Sequence, residues 1–191
     1  MFEAPGLAAP LARPVWTAAV HPPVLPAEAC ATGPEADMLD LDQVGVMALV
    51  VRRTGGGEHL LISDGLRTIR VDVVLGSLNR RARLRFLIGG IASAGRPLLT
   101  LRRLIAFCKS GRFSQPLHPP EARARRWILL LRTIDALGAG ADQRDVAEAL
   151  LSGEAAELRW RSNTPSLRSQ AQRLVRGARH MGGGGYRELL R

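Results

Sequence analysis

The sequence predicts an α+β fold in which a small antiparallel β-meander with a covering helix is followed by an all-α domain. Three observations support this prediction. Prolines concentrate near the start of the chain, short β-branched segments separated by glycines occupy residues 44–75, and longer segments with a helical period begin near residue 95. These changes divide the chain into a proline-rich arm or linker over 1–37, a small β-rich domain with a helix over 38–118, and a helical domain over 119–191.

The β-meander is predicted from three short apolar segments: VGVMALVVRR, EHLLIS and RTIRVDVVLG. Both breaks between them contain glycine, which accepts the positive φ of hairpin turns. In the third segment Ile69, Val71 and Val73 alternate with other residues, as in a strand with one buried face. Three strands alone are marginally stable, so the sheet needs a covering element. The segment that follows, RRARLRFLIGG, fits either a strand or a helical turn.

The covering helix is predicted in RPLLTLRRLIAFCKSGR, with Pro97 near its start and Gly111 at its end. Apolar side chains recur there near helical spacing, which predicts that one stripe packs on the sheet. The stripe consists of Leu98, Leu101, Leu104, Ile105 and Cys108.

The helical domain begins with a segment, EARARRWILLLRTIDALGAG, whose final glycines end a helix. Its predicted buried stripe is Ala124, Trp127, Ile128, Leu131 and Ile134. A shorter helix is predicted over 141–153, with Asp142 as the N-cap and Asp145 three residues later. Its inward side chains are Val146, Ala147, Leu150 and Leu151, and the small Ala147 allows another helix to cross close by.

The third helix of this domain is predicted from Thr164, a cap, and Pro165, at the first helical position. At 100° per residue one side is an apolar stripe: Leu167, Ala171, Leu174, Val175 and Ala178. The opposite side carries four arginines, a glutamine and a serine, and no acidic residue. Together with the preceding short helix, this is the pattern of a variant helix-turn-helix, with a connection longer than the usual three or four residues and with Trp160 packed into the core.

The polar side chains of the third helix are those that bind nucleic acids. Arginine binds guanine or phosphate with two parallel donors, glutamine pairs with adenine, and serine bonds to either. Ser166, Ser169, Gln172 and Arg173 are predicted to contact base edges because the first turns of a recognition helix enter the major groove. The predicted phosphate contacts are Arg161, Arg168, Arg176 and Arg179. The alternative is an ordinary solvated basic face on a core helix.

The charge distribution agrees with a polyanionic partner. The formal net charge is +10, and two acid-poor zones carry most of it. Residues 80–112 contain eight arginines and one lysine without an acid, and residues 159–191 contain eight arginines against Glu188 alone. The first zone is predicted to hold phosphates through Arg83 and Arg85, independently of base sequence. Arginine in place of lysine is weaker evidence, because GC-rich genomes favour it throughout.

The helical part of the sequence resembles a known family. The run RRWILLLRTIDALGAGADQRDVAEALLSG, then a tryptophan, then SLRSQAQRLVRGARHMGGGGYRELLR is similar to the RovC-type DNA-binding domain over about 120–191. That family occurs in proteobacterial regulators of type VI secretion and of integrative conjugative elements, including FseA-like activators. The resemblance implies a variant helix-turn-helix that binds double-stranded promoter DNA and activates transcription. Related single-domain members act instead as antiactivators through protein contacts, and the family's Met-x-Gly-Gly-Tyr ending here is MGGGGY.

Other classes of function are not supported by the sequence. The four histidines have no acid or nucleophile at a catalytic spacing, and GGGEH has no lysine to make a phosphate loop, so we expect no enzyme, cofactor or metal site. Cys30 and Cys108 are expected to be reduced thiols of a cytoplasmic protein. No apolar run reaches the length of a membrane span. The remaining expectations are contact with RNA polymerase or a partner regulator, a homo-oligomer, or, as the alternative function, a protein-interaction module acting as an antiactivator or accessory subunit.

The four glycines at 182–185 are predicted to end the third helix. A phosphate cradle would need a preceding strand, and a disordered tether would not need the apolar Tyr186, Leu189 and Leu190 that follow. A residue with positive φ lets the chain reverse there, so that Tyr186 and Leu190 close over the helical core.

Overall fold

The computed structural model describes residues 15–151 and 165–190. Its contacts define two compact units, one ending at Pro119 and the other running from Pro120 to Leu190. The first unit is a sheet with a helix and the second is helical, so the predicted α+β class is confirmed. The strands are β1 (Leu25–Cys30), β2 (Met38–Asp40), β3 (Ala48–Arg52), β4 (Glu58–Ser63), β5 (Thr68–Leu75) and β6 (Arg81–Phe86). The helices are α1 (Leu41–Val44), α2 (Gly95–Ser110), α3 (Ala124–Gly138), α4 (Gln143–Leu150) and α5 (Pro165–Gly182).

The predicted meander is confirmed and forms half of a larger sheet. Strands β3, β4 and β5 pair antiparallel in sequence order. The whole sheet has six strands in the order β2-β6-β1-β5-β4-β3. The segment that fitted either a strand or a helical turn is the strand β6, which pairs antiparallel with β1 and β2.

Strand β1 comes from the segment predicted to be a proline-rich arm. It lies inside the sheet, parallel to β5 on one side and antiparallel to β6 on the other. Leu25 and Ala27 are fully buried there, and the register shifts after Ala27. Pro26 keeps a carbonyl acceptor, which the N–H of Leu87 uses at 2.9 Å. Proline has no backbone N–H to donate to a neighbouring strand, so a proline-rich segment does not resemble a central strand. For this reason the sequence pattern did not predict β1.

The core of the first unit lies between one sheet face and α2. That face contributes Leu25, Leu60, Ile62, Val71 and other apolar side chains. Helix α2 ends at Gly111, as predicted, with a φ of 65° at that residue. The stripe predicted for α2 is partly wrong, because Leu98, Ile105 and Cys108 are exposed. The buried side chains of α2 are Pro97, Thr100, Leu104 and Phe107.

The second unit consists of α3, α4 and α5, followed by a short 3-10 helix over Gly185–Leu190. Helix α3 ends at Gly138, as the glycines predict. Its predicted stripe is also partly wrong, since Ile128 and Leu131 are 54% and 60% exposed. Leu130 and Thr133 are buried instead.

Candidate nucleic-acid interface

Helix α5 has two chemically different faces. On one of them Leu167, Ala171, Val175 and Ala178 are buried, the two alanines completely. Steps of four, four and three residues place these side chains on one side of a helix. The apolar stripe predicted for this helix is therefore confirmed.

Small residues let α5 approach both neighbouring helices. Ala171 and Leu167 pack against Ala147 of α4 in one buried cluster. On the other side, a Cβ at Gly177 would lie only 3.0 Å from Cδ2 of Leu130 in α3. Contacts with both α3 and α4 hold α5 in place, so its other face has a defined orientation within this unit.

The start of α4 is fixed by Asp142, the predicted N-cap, and Asp145 completes a capping box with it. The carboxylate of Asp142 accepts from the N–H groups of Arg144 and Asp145 at 2.6 and 2.9 Å. The carboxylate of Asp145 accepts from the N–H of Asp142 at 2.8 Å. The hydrogen bond from the N–H of Asp145 lowers the pKa of the Asp142 carboxyl group, and the hydrogen bond from the N–H of Arg144 lowers it further. Next to the cap, Nε2 of Gln143 donates to the carbonyl of Arg168 at 3.3 Å and ties α4 to the first turns of α5.

The face of α5 opposite the buried stripe is exposed and has no acidic residue. It brings together six of the predicted site residues: Arg168, Ser169, Gln172, Arg173, Arg176 and Arg179. Arginine, glutamine and serine are the side chains that donate to phosphates and to base edges in the major groove. The face therefore has the chemistry that duplex DNA requires.

Three of these arginines have no acidic partner in the described part of the chain. The ion pairs formed there by the second unit are Arg123–Glu121, Arg144–Glu148 and His180–Glu188. None of them includes Arg173, Arg176 or Arg179. Their guanidinium groups can therefore bind an external anion without first breaking such a pair.

Two predicted site residues cannot be placed on this face. Arg161 lies outside the described residues, as do Trp160 and the predicted cap Thr164. Ser166 belongs to the first turn of α5, but its side chain is not described. The DNA-contact roles of all eight residues, Arg161 and Ser166 included, stay predictions.

The end of α5 agrees with the predicted role of the glycines. The N–H of Gly183 donates to the carbonyl of Arg179 at 2.9 Å, and Gly184 has a φ of 113°. The chain then turns into the 3-10 helix over Gly185–Leu190. Tyr186 in this helix is 45% exposed, so its side chain covers the helical core only in part. Beside it lies an apolar groove of about 430 Å³, lined by α3 and the C-terminal residues, including Trp127, Leu131 and Leu189. The side chain of Leu190 is not described.

The first basic zone differs from α5 because acids from other segments pair with three of its nine cations. On β6, Arg81 pairs with Glu35 and Asp40, and Arg85 pairs with Glu28. Arg80, just before β6, pairs with Asp42. These acids are distant along the chain, so counting charges within residues 80–112 does not find them. A free phosphate-binding role for Arg85 is not supported.

A further set of basic side chains was not singled out from the sequence. Arg125, Arg126 and Arg132 are exposed on α3. The arginine cluster in EARARRW is the signal that could have indicated Arg125 and Arg126. The described residues thus place exposed arginines on α3 as well as on α5.

Comparison with protein families places the chain among DNA-binding transcription factors. A family model described as "T6SS, Transcription factor, DNA binding domain" matches residues 90–191, which is more than half of the chain. The chain belongs to this family, the RovC DNA-binding domain family, and the resemblance found in the sequence is confirmed. The match begins before residue 120 and includes α2. No curated protein and no solved structure matches the chain.

The family defines the general class of partner and activity. Its description indicates DNA as the partner and type VI secretion as the setting, and it does not describe an enzyme. No helix in the described part of the chain has both the length and the apolar character of a membrane span.

Proposed function

We propose that this chain is a sequence-specific transcriptional activator that binds promoter DNA through α5, the second helix of a variant helix-turn-helix formed with α4. One observation carries the proposal. The outward face of α5 has no acid and presents Arg173, Arg176 and Arg179 without ion-pair partners among the described residues. Its inward face is anchored on two helices, so that these donors are presented from a rigid support.

The proposal divides the face by position along α5. The N-terminal turns enter the major groove, where Ser166, Ser169, Gln172 and Arg173 contact base edges. The phosphate contacts are Arg161, Arg168, Arg176 and Arg179, which set register and supply affinity without sequence information. The hydrogen bond from Gln143 to the Arg168 carbonyl supports this arrangement, because it aligns α4 with the first turns of α5.

The setting follows from the family and from the sequence. The promoters would belong to type VI secretion or integrative conjugative element genes, and the protein would act in the cytoplasm. Activation needs a further contact with RNA polymerase or a partner regulator, and binding to two half-sites needs a homo-oligomer.

A second function is favoured by the apolar groove beside α3. Ile128 and Leu131 are more than half exposed near this groove, and a surface of this kind commonly binds another protein. The second candidate is therefore a protein-interaction module that acts as an antiactivator or an accessory subunit of a regulator.

Selection of bound fragments from random duplex DNA distinguishes the two functions. A sequence-specific DNA-binding protein enriches one motif over successive rounds, at a salt concentration that removes non-specific binding. A protein-interaction module enriches none, and that result would contradict the proposal. A pull-down with RNA polymerase would then test the activator role separately.

A further inference from the structure

We propose that α2 is a second DNA-contacting element, which holds phosphates through Arg102 and Lys109 independently of base sequence. The inference deepens the proposed function by adding a contact surface outside α5. It rests on the proposed binding of duplex DNA, but not on the recognition of bases by α5. The extent of the family match, the unpaired charge of α2 and the fixed orientation of this helix on the sheet support it.

The residues matched by the family include α2. The matched DNA-binding domain begins at residue 90, so that it contains Gly95–Ser110, whereas strands β1 to β6 all precede it. Helix α2 nevertheless packs on that sheet, within the first unit. The first unit therefore contributes one helix to the matched DNA-binding domain.

Unpaired positive charge of the first unit collects on and next to α2. All acidic side chains between residues 15 and 119 except Asp37 form ion pairs with described cations. Four exposed cations of α2 and of the turn after it form no ion pair with a described residue: Arg96, Arg102, Lys109 and Arg112. Asp37 lines the same groove as Lys109, so it offsets part of this charge and a positive excess remains.

Arg102 and Lys109 lie on the same side of α2. Their separation of seven residues places them within roughly 20° of each other around the helix and roughly 10 Å apart along its axis. Both side chains are exposed, and α2 contains no acidic residue. On the opposite side of the helix Thr100, Leu104 and Phe107 are buried. The two cations therefore point away from the sheet.

Hydrogen bonds to the neighbouring chain fix α2 further. Oγ1 of Thr100 donates to the carbonyl of Pro23 at 2.6 Å, and Nε of Arg103 donates to the carbonyl of Leu117 at 2.8 Å. Arg103 thus fastens the helix, whereas the neighbouring Arg102 has no ion pair with a described residue. A rigid helix that presents such cations loses little conformational entropy when an anion binds.

Duplex DNA suits this surface better than an acidic protein does. The matched family is described as a DNA-binding domain, and phosphate contacts require cations without a particular base sequence. Leu98 and Ile105 lie beside the two cations and are 44% and 45% exposed, but a phosphate contact does not depend on them. Helix α2 would therefore add affinity for any duplex, whereas α5 would supply the preference for one sequence.

Lys109 allows a direct test, because it is the one lysine of the chain. An amine-reactive acylating reagent, applied to the full chain and followed by peptide mapping, measures modification of this side chain separately from the terminal amine. We expect a saturating scrambled duplex to slow the acylation of Lys109, and added salt to restore the rate as phosphate contacts are lost. An unchanged rate, at a DNA concentration that saturates the fluorescence anisotropy, would contradict the proposal.

A double variant tests the same contacts through salt dependence. Arg102→Gln with Lys109→Gln should reduce the slope of log affinity against log salt by about 1.8, since each phosphate contact accounts for about 0.9. The matched control is Arg80→Gln with Arg85→Gln, which lowers the net charge equally but removes arginines already paired with acids. The selected motif and a scrambled duplex should weaken by the same factor. A slope that falls no further in the α2 variant than in the control would overturn the proposal.

A neutral substitution separates charge from shape on this side of α2. Ile105→Gln changes an exposed neighbour without changing the charge and should leave DNA affinity as in wild type. An equal loss in this variant would show that α2 acts through its apolar side chains, as for a protein partner, and the proposal would be wrong. Circular dichroism and Tm check that all variants are folded.

The outcomes also separate this inference from the proposed function. If wild type binds the selected motif and the α2 variant behaves like its control, only the role of α2 is wrong. If no motif is preferred but the slope falls in the α2 variant, α2 contacts phosphates and base recognition by α5 is wrong. If no duplex binds, both are wrong.

Discussion

Glu58 is a buried carboxylate at the start of β4 that ties the meander to the segment after β5. It accepts hydrogen bonds from the N–H of Leu78, from Oγ of Ser77 at 2.9 Å and from Nε of Arg52 at 3.2 Å. Burial raises the pKa of this carboxyl group, but these hydrogen bonds outweigh burial, so its pKa lies below the ordinary value. The residue is therefore ionised in the folded protein and stabilises it in that form.

Glu58→Gln is expected to lower the free energy of unfolding at pH 7 by about 1–3 kcal/mol, since it leaves buried donors without an ionised acceptor. Because the folded pKa is depressed, this contribution is present above the unfolded pKa of about 4.3 and is lost as the pH falls through the folded pKa. Urea denaturation should thus show the difference between wild type and variant shrinking on acidification. Glu35→Gln, at an exposed ion pair, is the control. A difference that stays constant with pH would contradict this assignment.

Gly76 is a second residue whose role is local. It has a φ of 84°, and a Cβ there would overlap the carbonyl oxygen of Ala29 in the neighbouring strand. Gly76→Ala should destabilise the protein by about 2 kcal/mol or more, combining backbone strain with the clash. Gly55→Ala, where a Cβ would meet no atom within 4 Å, should be nearly neutral. Equal denaturation midpoints for the two variants would show that β1 does not pass Gly76 as described.

At the scale of elements, the packing of α4 against α5 determines the orientation of the α5 side that we propose contacts DNA. Ala171→Leu would insert a large side chain beside Ala147, at a cost of about 1–3 kcal/mol, and displace α5. We expect a lower Tm together with reduced DNA affinity. Gln170→Leu changes the exposed neighbouring position and should alter neither property strongly. If Ala171→Leu keeps full affinity, the orientation of α5 on α4 does not matter for binding.

Elements with local signals could be predicted, and those with ambiguous faces could not. The N-cap of α4 and the buried stripe of α5 depend on residues that are close together in the sequence, and the structure confirms both predictions. In α3 the apolar run from Trp127 to Leu131 occupies every side of the helix. The hydrophobic period therefore does not indicate which side of α3 is buried. Leu130 is buried because Gly177 lies opposite it, a relation between distant residues.

At the scale of the whole molecule, ion pairing and strand order also depend on residues that are far apart in the sequence, so local patterns do not predict them. The place of β1 depends on pairing with β5 and β6, which no property of residues 25–30 reveals. The neutralisation of Arg85 depends on Glu28, its cross-strand partner on β1, which is 57 residues away in the sequence. The two basic zones look alike in sequence, but the fold brings acids to Arg80, Arg81 and Arg85 of the first, whereas Arg173, Arg176 and Arg179 of the second form no ion pair with a described residue.

This difference predicts a distinct salt dependence for arginines of the two zones. Arg176→Ala should reduce the slope of log affinity against log salt by about 0.9, the value of one phosphate contact. Arg85→Ala should leave the slope nearly unchanged, because its guanidinium is already engaged by Glu28. Fluorescence anisotropy with labelled duplex DNA over a salt series measures both. Equal slopes for the two variants would contradict the assignment of free charge.

The most direct test of the central claim is the specificity ratio, the affinity for the selected DNA motif divided by that for a scrambled duplex at one salt concentration. If α5 contacts base edges, Gln172→Ala and Arg173→Ala should each cost about 1–3 kcal/mol of discrimination between the two duplexes. This lowers the specificity ratio by a factor of about 5 to 150, with the fold intact. Arg102→Ala, on α2, should leave the ratio unchanged. A ratio preserved in both α5 variants would contradict the claim that this helix recognises the promoter.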